Sequence, residues 1–130
     1  MYLDANFFIY LHTEESAQGL AARTILSRIV KGELAFTSVL TLDEVMWVFR
    51  KLGRRGELAG ILEETYATQN LEVLPVSSSI PLAALDLMEK HNLKPRDAFH
   101  VAIMKEKGIK TIVSTDADFD KVPSIKRLKF

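Results

Sequence analysis

The chain has 130 residues, a length that predicts one domain, residues 1–130, with a sizeable hydrophobic core. Its 17 basic and 17 acidic residues cancel, which excludes binding of nucleic acid through overall positive charge and leaves local basic patches as the alternative. The absence of cysteine excludes disulfides and thiolate metal sites and fits a cytoplasmic protein, and the apolar runs are all too short to span a bilayer.

Hydrophobic periodicity predicts strands that alternate with helices along the whole chain. Short apolar runs predict strands at 1–3, 33–37, 71–76, 111–114 and 125–128. Apolar residues at helical spacing predict a short helix or turn at 7–11 and helices at 14–31, 41–52, 57–69, 81–91 and 95–107. Because a strand begins at Met1, no targeting segment is expected ahead of it. The alternation predicts an α/β fold, a three-layer α/β/α sandwich with a mainly parallel central sheet of about five strands.

Acidic residues stand where several of these elements begin or end. Asp4 follows the first strand, and Asp116 follows the strand 111–114. Glu44 and Asp97 lie in the first turns of the helices 41–52 and 95–107. Because the carboxyl ends of parallel strands share one edge of the sheet, we expect these side chains to converge there. Oxygen ligands without cysteine or a histidine cluster favour Mg²⁺ or Mn²⁺.

Three of these acids also have a purely structural explanation. Asp4 is equally well placed to cap the helix that follows it. The segment from Thr41 to Glu44 has the spacing of a capping box. Asp97 gains about 0.3–1 kcal/mol from the helix dipole. The helix around Asp97 is nearly all apolar, however, so a charge at its start needs partners, and this favours a functional site.

The alternating acids after the strand 111–114 differ in their expected roles. Asp116 is the first candidate for the site because it is nearest the strand end, and Asp118 is the second. Asp120 is expected to lie in solvent, and one of the three acids could cap the turn around Phe119. A calcium-binding loop is excluded, because it requires a glycine and a glutamate that the chain lacks at the corresponding positions.

The ordered set of acidic segments resembles the four motifs of PIN domains, and the resemblance covers essentially the whole chain. The segments are Leu3–Asn6, Ser38–Glu44, Arg96–Ala102 and Ser114–Phe119. The length of the chain most resembles the VapC-type toxins of toxin–antitoxin pairs. The resemblance implies a metal-dependent endoribonuclease that uses Mg²⁺ or Mn²⁺, dimerises, and is neutralised by a small antitoxin able to place a basic side chain in the acidic site.

The resemblance also assigns roles by position. It implies a catalytic acidic site made of Asp4, Glu44, Asp97 and Asp116. The metal ligands would be Asp4, Asp97 and Asp116, with Asp118 as a further ligand. The polar residues that support the site would be Asn6, Ser38 and Thr115.

The remaining polar and aromatic residues are expected to play smaller parts. Lys94 and Arg96 flank Asp97 and are the candidates for contact with a substrate phosphate. His100, Trp47 and Phe49 are expected to serve packing. The helices between residues 41 and 69 could offer a groove to a partner helix. The chain also has a basic cluster, which is expected either to form a solvated turn or to contact the RNA backbone. Its residues are Arg50, Lys51, Arg54 and Arg55.

Two other functions fit the sequence. The segment Asp116–Asp118 after an apolar strand resembles the nucleophile loop of haloacid-dehalogenase-type hydrolases, which act on small phosphoesters. Those enzymes carry the loop near the start of a larger domain. The other alternative is a PIN-like scaffold that binds RNA or protein without activity, although the complete set of acids argues against a lost site.

Overall fold

A computed structural model describes residues 1–13 and 15–130 of the chain. The strands are β1 (Tyr2–Leu3), β2 (Ala35–Ser38), β3 (Leu71–Leu74), β4 (Thr111–Val113) and β5 (Lys126–Leu128). The α-helices are α1 (Ala5–Thr13), α2 (Ala17–Val30), α3 (Val39–Lys51), α4 (Leu58–Ala67), α5 (Ile80–His91) and α6 (Pro95–Glu106). Short 3₁₀ helices cover Arg55–Glu57 and Ala117–Lys121.

The strands form one parallel sheet in the order β3-β2-β1-β4-β5. The shortest strand, β1, lies at its centre, where Tyr2 pairs with Phe36 of β2 and with Ile112 of β4. Parallel strands end on the same side, so the residues that follow β1, β2 and β4 meet along one line, which we call the carboxyl edge. Asp4 and Ser114 lie on this edge.

Alternate residues of the central strands face opposite sides of the sheet, and the residues of each side pack against a different layer of helices. Tyr2 and Ile112 belong to a cluster built mainly from α5 and α6. Leu3 and Val113 belong to a second cluster that includes residues of α1 to α4. Helices therefore cover both faces of the sheet, which confirms the predicted three-layer α/β/α sandwich.

The start of α3 differs from the prediction and changes the part that Glu44 plays. The helix begins at Val39, directly after β2, and its N-cap is Ser38, whose hydroxyl accepts a hydrogen bond from the Thr41 N–H at 3.3 Å. The prediction of a capping box between Thr41 and Glu44 is therefore wrong. Glu44 lies in the second turn of α3, where capping no longer explains it.

Two other helices have boundaries that differ from those predicted from the sequence. Helix α1 is longer than the predicted 7–11, because it starts immediately after Asp4. Helix α2 runs from Ala17, with Ser16 as its N-cap, whereas the predicted start at Glu14 lies outside the described residues. None of the helices in the described part of the chain has the length and apolar surface that a membrane-spanning helix needs.

The connection between α5 and α6 brings Asp97 to the carboxyl edge. Asn92 ends α5 in the left-handed conformation, with φ of 50°. The chain can then reverse within a few residues, because asparagine tolerates this conformation better than most side chains. Pro95 occupies the first turn of α6, where its missing N–H leaves no bond unmade. Asp97 follows in that same first turn.

Candidate active site

Asp4 is a buried carboxylate, 5% exposed, at the end of the central strand. The Ala5 N–H donates to Oδ1 at 2.8 Å, while the Ser114 hydroxyl and the Asn6 amide donate to Oδ2 at 2.6 and 3.2 Å. Burial raises the pKa of this carboxyl group, and the nearby His100 ring and the Ser114 hydroxyl oppose the rise. These donors hold Asp4 in one orientation.

Asp97, Asp116 and Asp118 come together at the carboxyl edge, although they belong to α6 and to the segment after β4. Each offers an oxygen within 4.8 Å of the oxygens of the other two. Asp97 Oδ2 is buried and accepts no hydrogen bond from any residue that the structure describes. Burial raises the pKa of Asp97 to about 6, with further contributions from the charges of Asp116 and Asp118. The Asp97 carboxylate is therefore the member of the cluster that the described residues stabilise least.

The cluster has the chemistry of a site for a hard divalent cation. Its ligand atoms are carboxylate oxygens, which Mg²⁺ and Mn²⁺ prefer. A cation would satisfy the unpaired Asp97 Oδ2 and offset both the burial and the neighbouring charges that raise the pKa of Asp97. The charge of Asp4 adds to that same pKa, so Asp4 lies within electrostatic reach of the cluster. The predicted ligands are thus gathered at one edge, and their roles as ligands stay a prediction.

Asp116 also has a local structural role. Its Oδ1 accepts a hydrogen bond from the Asp118 N–H at 2.8 Å and so caps the 3₁₀ helix Ala117–Lys121. Its own N–H donates to the Ser114 hydroxyl oxygen at 3.0 Å. Ser114 therefore bridges Asp4 and Asp116 from a fully buried position. The predicted turn around Phe119 is present, and the acid that caps it is the one nearest the strand.

Asp118 is held by two lysines at the mouth of the site. Lys121 Nζ lies 2.8 Å from Oδ1, and Lys94 Nζ lies 3.1 Å from Oδ2. Hydrogen bonds from Lys121, the larger contribution, and from Lys94 keep the pKa of Asp118 below its usual value. Sequence reasoning missed Lys121, for which the only signal was its spacing of three residues from Asp118. A cation that used both Asp118 oxygens would have to displace the lysines.

Glu44 approaches the carboxyl edge from α3 and meets two basic side chains. His100 Nε2 lies 2.6 Å from Oε1, and the Arg96 guanidinium lies 3.7 Å from Oε2. An ionised carboxylate can only accept hydrogen bonds, so His100 Nε2 carries the proton. Arg96 is half exposed, whereas His100 is buried, so the histidine is the firmer of the two partners.

His100 is packed inside the protein, as the sequence predicts, but it also links parts of the site. Its ring is 1% exposed, with Nδ1 2.8 Å from the Tyr2 hydroxyl and Nε2 3.9 Å from Asp4 Oδ1. Neither Tyr2 nor His100 was among the predicted site residues. The one signal in the sequence was the position of His100, one helical turn after Asp97 in an otherwise apolar helix.

The three residues predicted to support the site make different contacts with the residues that the structure describes, and only one of them binds a site carboxylate. Asn6 donates directly to Asp4, whereas Ser38 caps α3 and contacts the Tyr2 hydroxyl at 2.7 Å. Thr115 makes no side-chain hydrogen bond with the described part of the chain. Its neighbour Ser114 makes the carboxylate contact instead.

The surface of α3 carries a separate feature. Trp47 is 52% exposed, so the prediction that it serves packing is wrong, while Phe49 is fully buried as expected. An open groove of about 270 Å³ runs beside Trp47 towards the start of α4. Its lining consists of Asp43, Met46, Trp47, Arg50, Arg55 and Leu58. Arg54 of the basic cluster is instead paired with Glu57 at 2.6 Å.

The fold and the site together define an α/β protein with three carboxylates gathered at one edge of a parallel sheet. The sequence profile of the PIN domain family matches residues 1–125. The chain is 30% identical to ribonuclease VapC13 of Mycobacterium tuberculosis over 128 residues, which cover 97% of each chain. It therefore belongs to the PIN domain family.

Two solved structures share the fold at lower sequence identity. One is VapC20 of Mycobacterium tuberculosis, a toxin that cleaves the sarcin–ricin loop, with a TM-score of 0.77, 20% identity and coverage of 92% of each chain. The other is VapBC2 of Rickettsia felis bound to a DNA fragment from its promoter, with a TM-score of 0.77 and 16% identity. That match covers 98% of this chain and 96% of the other.

Proposed function

We propose that this protein is a VapC-type toxin, an endoribonuclease that cleaves RNA phosphodiester bonds with Mg²⁺ or Mn²⁺ at the carboxyl edge. The observation that carries the proposal is the convergence of Asp97, Asp116 and Asp118, with one buried Asp97 oxygen left unpaired. The Ser114 hydroxyl links this cluster to Asp4. The VapC13 relative is itself named a ribonuclease. The proposal includes a small antitoxin as partner, a homodimer and a cytoplasmic location.

The residues at the edge would divide the work. Asp97 and Asp116 would hold the ion, with Asp4 beside them and Asp118 as a further ligand. When bound, a divalent ion lowers the pKa of a coordinated water and stabilises negative charge on the scissile phosphate. Ser114 and Asn6 fix Asp4 through their hydrogen bonds. Glu44 would orient the attacking water with the oxygen that His100 does not bind.

Lys94 and Arg96 would receive the RNA phosphates. Their side chains are 76% and 53% exposed, and each is already paired with a carboxylate of the site, Asp118 and Glu44 respectively. An incoming phosphate would share these cations with the acids. Lys121 would contribute in the same way, since it also contacts Asp118. These side chains offset the repulsion between an acidic pocket and RNA.

Metal dependence provides the direct test of this proposal. We expect the protein to cleave a structured RNA in Mn²⁺ and to lose that activity in EDTA. Because the ion binds the folded state, Mn²⁺ at a hundred times its Kd should raise the free energy of unfolding by about 2.7 kcal/mol. Equal cleavage in EDTA and in Mn²⁺ would contradict the scheme. Turnover of a small phosphoester without RNA cleavage would favour the haloacid-dehalogenase-type alternative.

The groove on α3 and α4 is our candidate for the antitoxin surface. Met46 and Trp47 are 43% and 52% exposed there, and charged residues at the rim could fix the register of an amphipathic helix. Exposed tryptophans are common binding hot spots, so Trp47→Ala should weaken binding by about 2 kcal/mol, or roughly thirtyfold. RNA cleavage should be unaffected.

Calorimetry with the product of the reading frame immediately upstream of the gene would measure this change. Leu82→Ala is a matched control, because Leu82 is an apolar side chain on α5 with 77% exposure and lies outside the groove. An equal loss of affinity in both variants would place the antitoxin elsewhere.

A further inference from the structure

The imidazole of His100 lies behind the acidic site, between Glu44 and the central strand. Its Nε2 is 2.6 Å from Glu44 Oε1, and its Nδ1 is 2.8 Å from the Tyr2 hydroxyl. Both ring nitrogens are therefore engaged. The ring is 1% exposed and lies edge-on to Tyr2 and Phe119, with centroids 5.6 and 6.4 Å away. A buried ring with these contacts has one favourable orientation.

A cluster of hydroxyl groups fixes the far side of the ring. The Tyr2 oxygen lies 2.7 Å from Ser38 Oγ and 3.1 Å from Thr41 Oγ1. Ser38 Oγ in turn accepts the hydrogen bond from the Thr41 N–H that caps α3. These side chains are fully buried. The cap of the helix that carries Glu44 and the ring that binds Glu44 thus belong to one network.

Glu44 has little else to hold it. Its other polar partner is the half-exposed Arg96, whose guanidinium is 3.7 Å from Oε2. A glutamate on a helix has several rotatable bonds and loses much rotamer freedom when it is fixed in one position. A short bond from a buried donor therefore decides where its carboxylate lies, while an exposed ion pair contributes little.

We propose that His100, anchored by Tyr2, is a positioning residue that orients Glu44 for the cleavage reaction. The bond to Oε1 occupies one carboxylate oxygen, and the other, Oε2, faces only the half-exposed Arg96 among the described residues, at 3.7 Å. The residue acts through Glu44 and does not touch the substrate. The inference rests on the proposed ribonuclease function. It assigns a role to a histidine that is not one of the acidic residues of the site. Comparable partners of metal-site residues change activity by about 10–100-fold when they are lost.

A matched pair of substitutions separates positioning from packing. In His100→Gln the longer amide can still donate near the place of Nε2 and reach Glu44. In His100→Asn the amide reaches only as far as Nδ1, and the bond to Glu44 is lost. We expect His100→Asn to lower kcat by about 10–100-fold with KM for RNA little changed, and His100→Gln to restore most of that loss. An equal loss in both variants would overturn the proposal.

The coupling to Glu44 can be measured directly in a double-mutant cycle. Because His100 acts through Glu44, the His100→Asn change should lower the residual kcat of a Glu44→Ala variant no further. A full additional loss in that background would show that His100 acts independently of Glu44 and would overturn the proposal.

A spectroscopic readout does not depend on nuclease activity. In metal-free protein labelled with ¹⁵N-histidine, the Nε2 proton of His100 should give a slowly exchanging, downfield NMR signal. That signal should move in Glu44→Gln, because the strong acceptor is replaced. An unchanged signal would refute the contact. If the wild-type protein gave this downfield signal, and the signal moved in Glu44→Gln, but the wild type cleaved no RNA, the contact would stand and the proposed function would be refuted.

Discussion

Asp97→Asn is expected to lower RNA cleavage on the order of a thousandfold, because metal stabilisation of the transition state is worth several kcal/mol and each 1.4 kcal/mol changes the rate tenfold. The asparagine keeps the shape of the side chain but offers one neutral oxygen. Asp97 lies in the cluster with Asp116 and Asp118, so its charge is part of what attracts the ion. Initial rates in Mn²⁺ with a labelled RNA would measure the effect.

The same substitution should make the metal-free protein more stable. Burial and the charges of Asp116 and Asp118 raise the pKa of Asp97 to about 6, so the ionised carboxylate is unfavourable in the folded state. A neutral asparagine avoids that cost. We expect a gain of about 1 kcal/mol at neutral pH, once solvent screening of this partly exposed group is allowed for. Unfolding by urea in EDTA would measure it.

The pH dependence of that gain follows from the direction of the pKa shift. Asp97 has an ordinary value of 3.8 in the unfolded chain and about 6 in the folded one. The folded state therefore binds more protons between these values, and the stability due to this group falls as pH rises from 3.8 to 6. The stability difference between Asp97→Asn and wild type should grow across that interval and stay constant above it.

Asp86→Asn provides a matched control for these measurements. Asp86 is an exposed aspartate on α5, paired at 2.8 Å with Lys90 on the surface. Such pairs contribute about 0–1 kcal/mol, so the variant should keep both the activity and the stability of the wild type. RNA cleavage by Asp97→Asn at the wild-type rate would remove Asp97 from the catalytic site.

The carboxyl edge was predictable because it depends on the order of the elements. Each of Asp4, Asp97 and Asp116 follows a strand or opens a helix, and a parallel sheet brings such positions to one side. That reasoning needs no side-chain contact. It found the acids but could not show that Asp97 Oδ2 would be left unpaired, since this depends on how α6 packs.

The cap of α3 shows how a local pattern can be misread. Both Ser38 and Thr41 have the residue type and position of an N-cap, and the sequence alone favoured Thr41 because Glu44 follows three residues later. Sheet pairing decides between them. Ser38 is held extended opposite Leu74 of β3, so the helix can begin at the very next residue.

The network around His100 could not be read from the sequence for a different reason. Tyr2 and His100 are 98 positions apart, and they meet because the central strand lies under α6. Likewise, the pairing of Lys94 with Asp118 joins two segments of the carboxyl edge. A sequence pattern contains no information on such contacts, although the residue types involved limit which of them can form.

Phe119→Ala is expected to cost about 3–5 kcal/mol of stability, the usual range for removing a buried aromatic ring. Phe119 is 1% exposed, and its ring lies against His100. It anchors the 3₁₀ helix that Asp116 caps and that carries Asp118. A domain of this size has a total stability of about 5–15 kcal/mol, so the loss would be a large fraction of it.

The same change should also weaken metal binding, because Phe119 fixes the segment from which two of the predicted ligands come. Urea unfolding and Mn²⁺ calorimetry on one preparation would measure both effects. Phe119→Leu keeps a large apolar side chain at the position and leaves a smaller cavity, so it should cost less stability than Phe119→Ala, with Mn²⁺ affinity near that of the wild type. If Phe119→Ala lost stability but bound Mn²⁺ as tightly as Phe119→Leu, Asp116 and Asp118 would not be the groups that hold the ion.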